Sequence, residues 1–322
     1  MNSQPGIFAL SLDFELIWGT ADKKSKHFEN ACKIERDFVV DRLLQLFQKH
    51  DISATWATVG HLFLDNCEPV DGIKHPEIER TNFSWLDEDW FFHDPGGSEC
   101  DGSIHLARSL VEKIRDFPVY QEIGSHGFSH IILGDSETRE ETVKCELHAS
   151  VKAAKELGIE LKSFVFPRNI VGDVGLLREA GFTNYRGVEP NWYEVNRVPQ
   201  KLKRILRLVD VVAAVTPPVV EPEIRECGIV NIPGSMLYFP SHGKRKYIPN
   251  SRRVIRAKKG IMKAAIEGRI FHFWFHPTNM VDEAEQMFSG LDLILQYVSE
   301  LREKGILENL TMGEIAERAG NL

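Results

Sequence analysis

Four places in the sequence carry side chains that could do hydrolytic chemistry together. The first is an apolar run at residues 7–15 that ends on Asp13 and Glu15. Read as a strand, with alternate side chains on opposite faces, it puts Phe8, Leu10, Leu12 and Phe14 on one greasy face. Ile7, Ala9, Ser11, Asp13 and Glu15 form the other face, which shrinks and then turns acidic. Two carboxylates thus emerge together at the C-terminal end of a strand, where α/β proteins keep their chemistry.

The second place is Gly124-Ser125-His126-Gly127-Phe128-Ser129-His130. The i, i+4 spacing of His126 and His130 would set both imidazoles on one face of a first helical turn. Two neutral imidazoles and a carboxylate are a common zinc set that leaves a position open for water. Two polar loop histidines are the plainer alternative.

The third is Phe271-His272-Phe273-Trp274-Phe275-His276-Pro277. Strand parity puts Phe271, Phe273 and Phe275 on one face and His272, Trp274 and His276 on the other. Histidines turned inward make sense where the inner face is a site. His276, level with Asp13 and Glu15, suits a general acid. His272 lies deeper and fits a core histidine bonded to backbone. The fourth place is Phe164-Val165-Phe166-Pro167-Arg168-Asn169, where Arg168 at a strand end could hold a carboxylate ionised or make a surface ion pair.

The elements that must position these residues alternate along the chain. Helical spacing covers Val40, Leu43, Leu44 and Phe47, then Ile104 to Ile114, then Val143 to Ala154 with a stop at Gly158. A basic helix follows Pro249, a long helix runs over about 284–304, and Thr311 with Glu314 reads as a capping box for a last short helix. Strands are expected at 53–59, 122–125, 163–166, 184–186, 229–232 and 270–275. About seven βα units predict an α/β fold, a distorted (β/α) barrel with about seven parallel strands rather than an open sheet. One domain over residues 1–322 is expected, with a long aromatic-rich loop insertion at about 61–102. No G-x-G-x-x-G follows the first strand, which weakens a dinucleotide-binding reading.

Composition sets outer limits. The chain has 322 residues, 43% hydrophobic and 27% charged, enough for a sizeable core. A net charge of −8 argues against general nucleic-acid binding. No run is long enough for a membrane helix, and the first apolar run carries acids where a signal peptide would be clean. Cys32, Cys67, Cys100, Cys145 and Cys227 are scattered without a C-x-x-C and read as reduced thiols of a cytoplasmic protein.

Taken in order, the four places resemble the motifs of the polysaccharide deacetylase, or NodB-homology, superfamily. The resemblance spans residues 7 to about 277: an acidic motif at Asp13-Phe14-Glu15, a metal motif at His126 to His130 with Ser129, an arginine motif at Phe166-Pro167-Arg168-Asn169, and a late histidine at His276. Two departures stand out. The family commonly has adjacent aspartates where this chain has D-x-E, and its R-x-P-like arginine precedes a proline that Arg168 follows. The resemblance implies a divalent metal, zinc first, held by Glu15, His126 and His130. Asp13 would be the base, although the roles of Asp13 and Glu15 could be exchanged. His276 would be the acid, and Arg168 would keep Asp13 anionic.

The implied reaction is removal of an N-acetyl group from an amino sugar. A cytoplasmic enzyme would meet that sugar on a nucleotide or lipid carrier, in surface-glycan or O-antigen biosynthesis. A basic stretch from His242 to Lys246, continued by Arg252, Arg253, Arg256, Lys258 and Lys259, offers a diphosphate site or simply a solvated helix face. Trp90, Arg186, Trp192 and Trp274 are candidate sugar-binding residues. The rivals are hydrolysis of another C–N bond, with or without metal, as in allantoinase-like relatives, and a catalytically inactive sugar-binding relative. Glycoside hydrolysis fits less well, because carboxylates two apart on one strand cannot flank a bond.

Overall fold

The alternation in the first strand decides which face of the sheet becomes outer wall and which becomes interior. A computed structural model of the chain describes residues 4–22, 25–99, 103–191 and 198–320. In it β1 (Gly6–Phe14) runs through the middle of one continuous sheet. The other strands, in chain order, are β2 (Ala54–Thr58), β3 (Gln121–Ser125), β4 (Ser163–Val165), β5 (Asn184–Arg186), β6 (Val230–Asn231), β7 (Met236–Leu237), β8 (Ile270–Phe275) and β9 (Leu307–Asn309). The spatial order is β7-β8-β1-β2-β3-β4-β5-β6, with all these pairings parallel. Glu223–Ile224 adds an antiparallel edge to β6, and β9 pairs with the start of β1.

The two ends of this sheet belong to one segment of chain. The amides of Val230, Ile232 and Gly234 donate to the carbonyls of Thr183, Tyr185 and Gly187. Those of Ser235 and Tyr238 donate to His272 and Trp274. Residues 230–238 therefore lie between β5 and β8 as a single stave that changes partner midway. The sheet curls round on itself into the distorted (β/α) barrel, with the C-terminal ends of its strands at one mouth.

Parity sorts the side chains as the sequence predicts. Phe8, Leu10, Leu12 and Phe14 of β1 join Phe271, Phe273 and Phe275 of β8 in the large core between barrel wall and helices. Leu291, Ile294, Leu295 and Val298 of the Ala284–Glu303 helix complete that layer. Each such side chain, fully buried, contributes roughly 1.5–3 kcal/mol, so most of the adhesion lies outside the barrel. Inside are aliphatic residues, Ala9, Ala57, Val165 and Ile232, met from below by Met312, Ile315 and Ala316 of the last helix, Met312–Gly320. Glu122 sits at that floor. It accepts from Thr55 Oγ1 (2.7 Å), Ser163 Oγ (2.5 Å) and the Gly313 amide (3.1 Å), a carboxylate placed at a helix N-terminus. The capping box forms as read, with Thr311 N on Glu314 Oε2 and Glu314 N on Thr311 Oγ1.

The stretch after β2 keeps little regular structure. It holds a 3-10 turn at Gly60–Phe63 and a two-residue antiparallel pairing of Asn66–Cys67 with Gly97–Ser98. Trp90 and Phe91 anchor it in the core. No helix among the described residues is long and apolar enough to cross a membrane.

Candidate active site

Asp13 and Glu15 reach the mouth of the barrel at the end of β1, and different partners grip each. Asp13 faces Arg186 at the end of β5, which donates Nη1 to Oδ1 and Nη2 to Oδ2, both at 2.7 Å. Arg186 Nη1 also reaches Ser11 Oγ (2.9 Å) and Nη2 reaches Asn169 Oδ1 (3.0 Å). The Trp274 ring lies 4.3 Å from the guanidinium carbon, with its indole N–H on Glu189 Oε1 at 2.8 Å. Burial works to raise the Asp13 pKa, but Arg186, with help from His276 and His126, outweighs it and holds the carboxyl below its usual range.

Glu15 turns toward the two histidines. Its Oε2 lies 3.4 Å from His126 Nε2 and 3.0 Å from His130 Nε2, and the two rings are 4.8 Å apart. Burial opposes its charge too, and is outweighed by His276 and His130, so the carboxyl stays well below the usual range. A Cβ on Gly19 would run into the Glu15 carboxylate, so a larger residue there would push Glu15 off the two histidines. His126 Nδ1 lies 2.8 Å from the Val165 carbonyl. That oxygen can only accept, so Nδ1 carries the proton and Nε2 offers a lone pair toward Glu15. One carboxylate oxygen and two imidazole nitrogens, all within 4.8 Å of one another, fit a zinc-type divalent ion with open positions.

The loop that carries this pair is not the helical turn that the spacing predicts. Gly127 (φ 79°) and His130 (φ 63°) are left-handed, and the chain folds back so that the rings converge. Glu146, on the Glu140–Glu156 helix, holds the turn by accepting the amides of Phe128 and Ser129 (both 2.9 Å) and Ser129 Oγ (2.6 Å). Left-handed backbone at residues other than glycine gathers at this mouth, at Leu16, His130, Arg168 and Asn169. Such conformations cost of order 1–3 kcal/mol each and cluster at functional sites.

His276, just past β8, completes the group. Its Nε2 is 3.6 Å from Asp13 Oδ2 and 3.7 Å from Glu15 Oε1, and its side chain is 29% exposed while both carboxylates are nearly sealed. His272 lies below it, with Nε2 2.9 Å from Ser11 Oγ. Burial and then Arg186 push its pKa down to about 3, so it is a neutral wall residue.

Several expectations need correction. Arg168 does not hold Asp13: it pairs with Asp22 at 2.7 Å and is a third exposed. The R-x-P pattern would put its arginine at position 165, two before Pro167, and this chain has valine there. Strand register sets Val165 beside Arg186, so the neighbouring strand supplies the guanidinium. Arg186 is thus buried on Asp13 and unavailable to a sugar. Trp274 supports Arg186, and Trp90, also buried, donates to the Ser129 carbonyl (2.9 Å) behind the histidine turn. Trp192 lies outside the described residues. In the basic stretch, Arg253 is sealed against the carbonyls of Phe239, Ile248, Pro240 and Arg245. Arg256 and Lys259 are likewise committed to the carbonyls of Val215 and Ala214, which removes the core of a diphosphate site. Glu146 was missed, because nothing local to it signals that it reaches the histidine turn.

No protein-family model and no curated protein sequence matches the chain. Solved structures do. A protein of Mycobacterium smegmatis assigned as a polysaccharide deacetylase superposes with a TM-score of 0.62 at 13% identity, covering 100% of this chain and 93% of that one. Another so assigned, from Pseudomonas aeruginosa PAO1, gives 0.60 at 13%, over 98% and 91%. The chain has the polysaccharide deacetylase fold. Puue allantoinase shares it as closely, with a TM-score of 0.62 at 13% identity over 98% of this chain and 91% of that one. The same fold is thus shared by structures named as polysaccharide deacetylases and by one named as an allantoinase.

Proposed function

We propose that the cleft hydrolyses the N-acetyl group of an amino sugar, giving acetate and the free amine. The observation that supports this most is the division of labour between the two carboxylates. Glu15 is turned to a pair of imidazole nitrogens, Asp13 is clamped by Arg186, and His276 stands within 3.7 Å of both. Glu15, His126 and His130 would hold a divalent ion, zinc by donor type, which when bound polarises a carbonyl and acidifies water.

Asp13 takes the proton from the attacking water. Arg186 keeps Asp13 charged and fixes its plane, and the side of Oδ2 that faces His276 is the one free to receive the proton. His276, the solvent-reaching member, gives a proton to the departing nitrogen as the C–N bond breaks. Trp85, which is exposed at the rim beside Arg168, offers a flat face for a sugar ring. The sugar is proposed to arrive on a nucleotide or lipid carrier.

The test is acetate release by the metal-loaded protein from nucleotide-linked, lipid-linked and oligomeric N-acetyl sugars. Release that falls about 10²–10⁴-fold in Asp13→Asn supports the reading and identifies the carrier. The allantoinase likeness favours one alternative, a cyclic amide substrate. Ring opening of allantoin or an imide with no acetate release from any sugar would establish it instead.

A further inference from the structure

A second convergence of metal-type donors lies in the 61–102 stretch, away from the cleft. His61 is seated by the Gly60–Phe63 turn, Cys67 by the short pairing with Gly97–Ser98, His75 by its own left-handed backbone (φ 46°), and Asp94 by the turn that closes on Gly96. His75 Nε2 is 3.0 Å from both His61 Nε2 and Cys67 Sγ. Asp94 Oδ2 is 3.5 Å from His61 Nε2 and 3.6 Å from Cys67 Sγ. The side chains of His61 and Asp94 are 0% and 1% exposed.

The outer partners decide what these atoms are. His61 Nδ1 lies 2.9 Å from the His105 carbonyl, and His75 Nδ1 lies 3.1 Å from Glu77 Oε1. Both oxygens accept, so both Nδ1 atoms carry protons and both Nε2 atoms are bare in the neutral rings. Two nitrogen lone pairs, a sulfur and a carboxylate oxygen then face one another in a sealed space. Neutral imidazoles cannot hydrogen-bond to each other through two bare nitrogens, and the one thiol proton serves a single acceptor. A cation satisfies all four. Carbonyl or carboxylate partners behind each histidine are the usual support of zinc ligands.

We infer that His61, Cys67, His75 and Asp94 form a second, structural metal site that takes zinc. The thiolate and two imidazoles select a borderline-soft ion over magnesium or calcium. Four protein ligands leave no position for water, as in structural sites. On binding, the Cys67 thiol proton is released to solvent and a sulfur–metal bond forms. The site pins the loop to the back of the cleft. Gly60 N and His61 N donate to the carbonyls of Gly127 and Phe128 (both 2.8 Å), the Phe128 ring packs on His61 and His75, and Trp18 packs on His61 at 4.4 Å. None of this depends on what the cleft hydrolyses.

The test strips the full-length protein with a chelator and titrates it with cobalt(II), then counts zinc in protein reloaded and desalted. Two equivalents are expected, with a thiolate-to-cobalt charge-transfer band. The band should vanish in Cys67→Ser and survive in His126→Ala, each variant retaining one equivalent. Glu77→Gln, which keeps all four ligands and guards against a misfolded Cys67→Ser, should weaken zinc retention about 10–100-fold. A wild-type protein without the band, a band that persists in Cys67→Ser, or a single equivalent lost only in His126→Ala would overturn the second site. The last result would leave the cleft reading intact.

Discussion

Two clusters of histidine and acid lie on either side of Phe128, and they are built to opposite ends. At the barrel mouth three donors meet beside a further carboxylate and a solvent-reaching histidine, so the ion they would hold keeps open positions with a base and an acid in reach. In the 61–102 stretch four donors meet, and the carboxylate next to them, Glu77, stands behind His75 on Nδ1 rather than beside the space between the donors. On the readings proposed above, the same side-chain types would serve reaction in one place and cross-linking in the other. The difference lies in coordination number and in what stands next to the ligands.

Substitutions that strike one cluster and spare the other sharpen this contrast. The largest effect is expected from Arg186→Met, which leaves the Asp13 carboxylate buried without its partner. Breaking such a pair costs about 3–5 kcal/mol, so the thermal midpoint should fall and turnover should collapse with it, while cobalt charge transfer at the insertion is unchanged. An unshifted melting curve would mean that the clamp is not what fixes Asp13.

Next is His276→Gln. Loss of a general acid should lower kcat for amide substrates about 10²–10⁴-fold, with metal content intact. An acetyl ester of a phenol, whose leaving group needs no proton, should be hydrolysed nearly as fast as by the wild type. Equal losses on both substrates would assign His276 to binding rather than acid catalysis.

Smallest per unit of pH is the effect that separates the neutral wall from the reactive mouth. His272 takes up a proton only at about pH 3 when folded, whereas an unfolded histidine does so near 6.5. Between these values the unfolded state binds the extra proton, so stability falls as pH falls, by up to about 1.4 kcal/mol per pH unit from this residue. Urea unfolding between pH 6.5 and 4 should show that slope in the wild type and a shallower one in His272→Asn. Parallel slopes would show that His272 is not buried neutral.

The sequence made the central strands plain because parity is local. Phe8 to Phe14 and Phe271 to Phe275 each declare a wall face and an interior face within a few residues. The two carboxylates, the histidine pair and His276 were legible by type, and the strand ends that carry them follow from the same parity. The turn at His126 to His130 was not, because a left-handed histidine leaves no mark in residue spacing. Arg168 and Arg186 exchanged places for a related reason. Which of two arginines meets Asp13 depends on the register of β4 against β5, a pairing between distant segments. The insertion cluster was hidden more deeply. Its ligands are spread through irregular chain with no fixed interval, and a lone Cys67 looks like any reduced thiol.

The position of β1 has a consequence for how the protein is made. Of the described strands it is synthesised before all the others, yet one of its edges is paired by β8 and its base by β9, which are synthesised after the rest. Through most of translation that edge, with Phe8, Leu10 and Leu12 along it, has no native neighbour. Long-range parallel pairing is slow, and unpaired apolar strands are sticky. His276 arrives with β8, so the act that closes the barrel also completes the candidate chemistry. A chain cut short anywhere before residue 270 would be inert and prone to aggregate for one and the same reason.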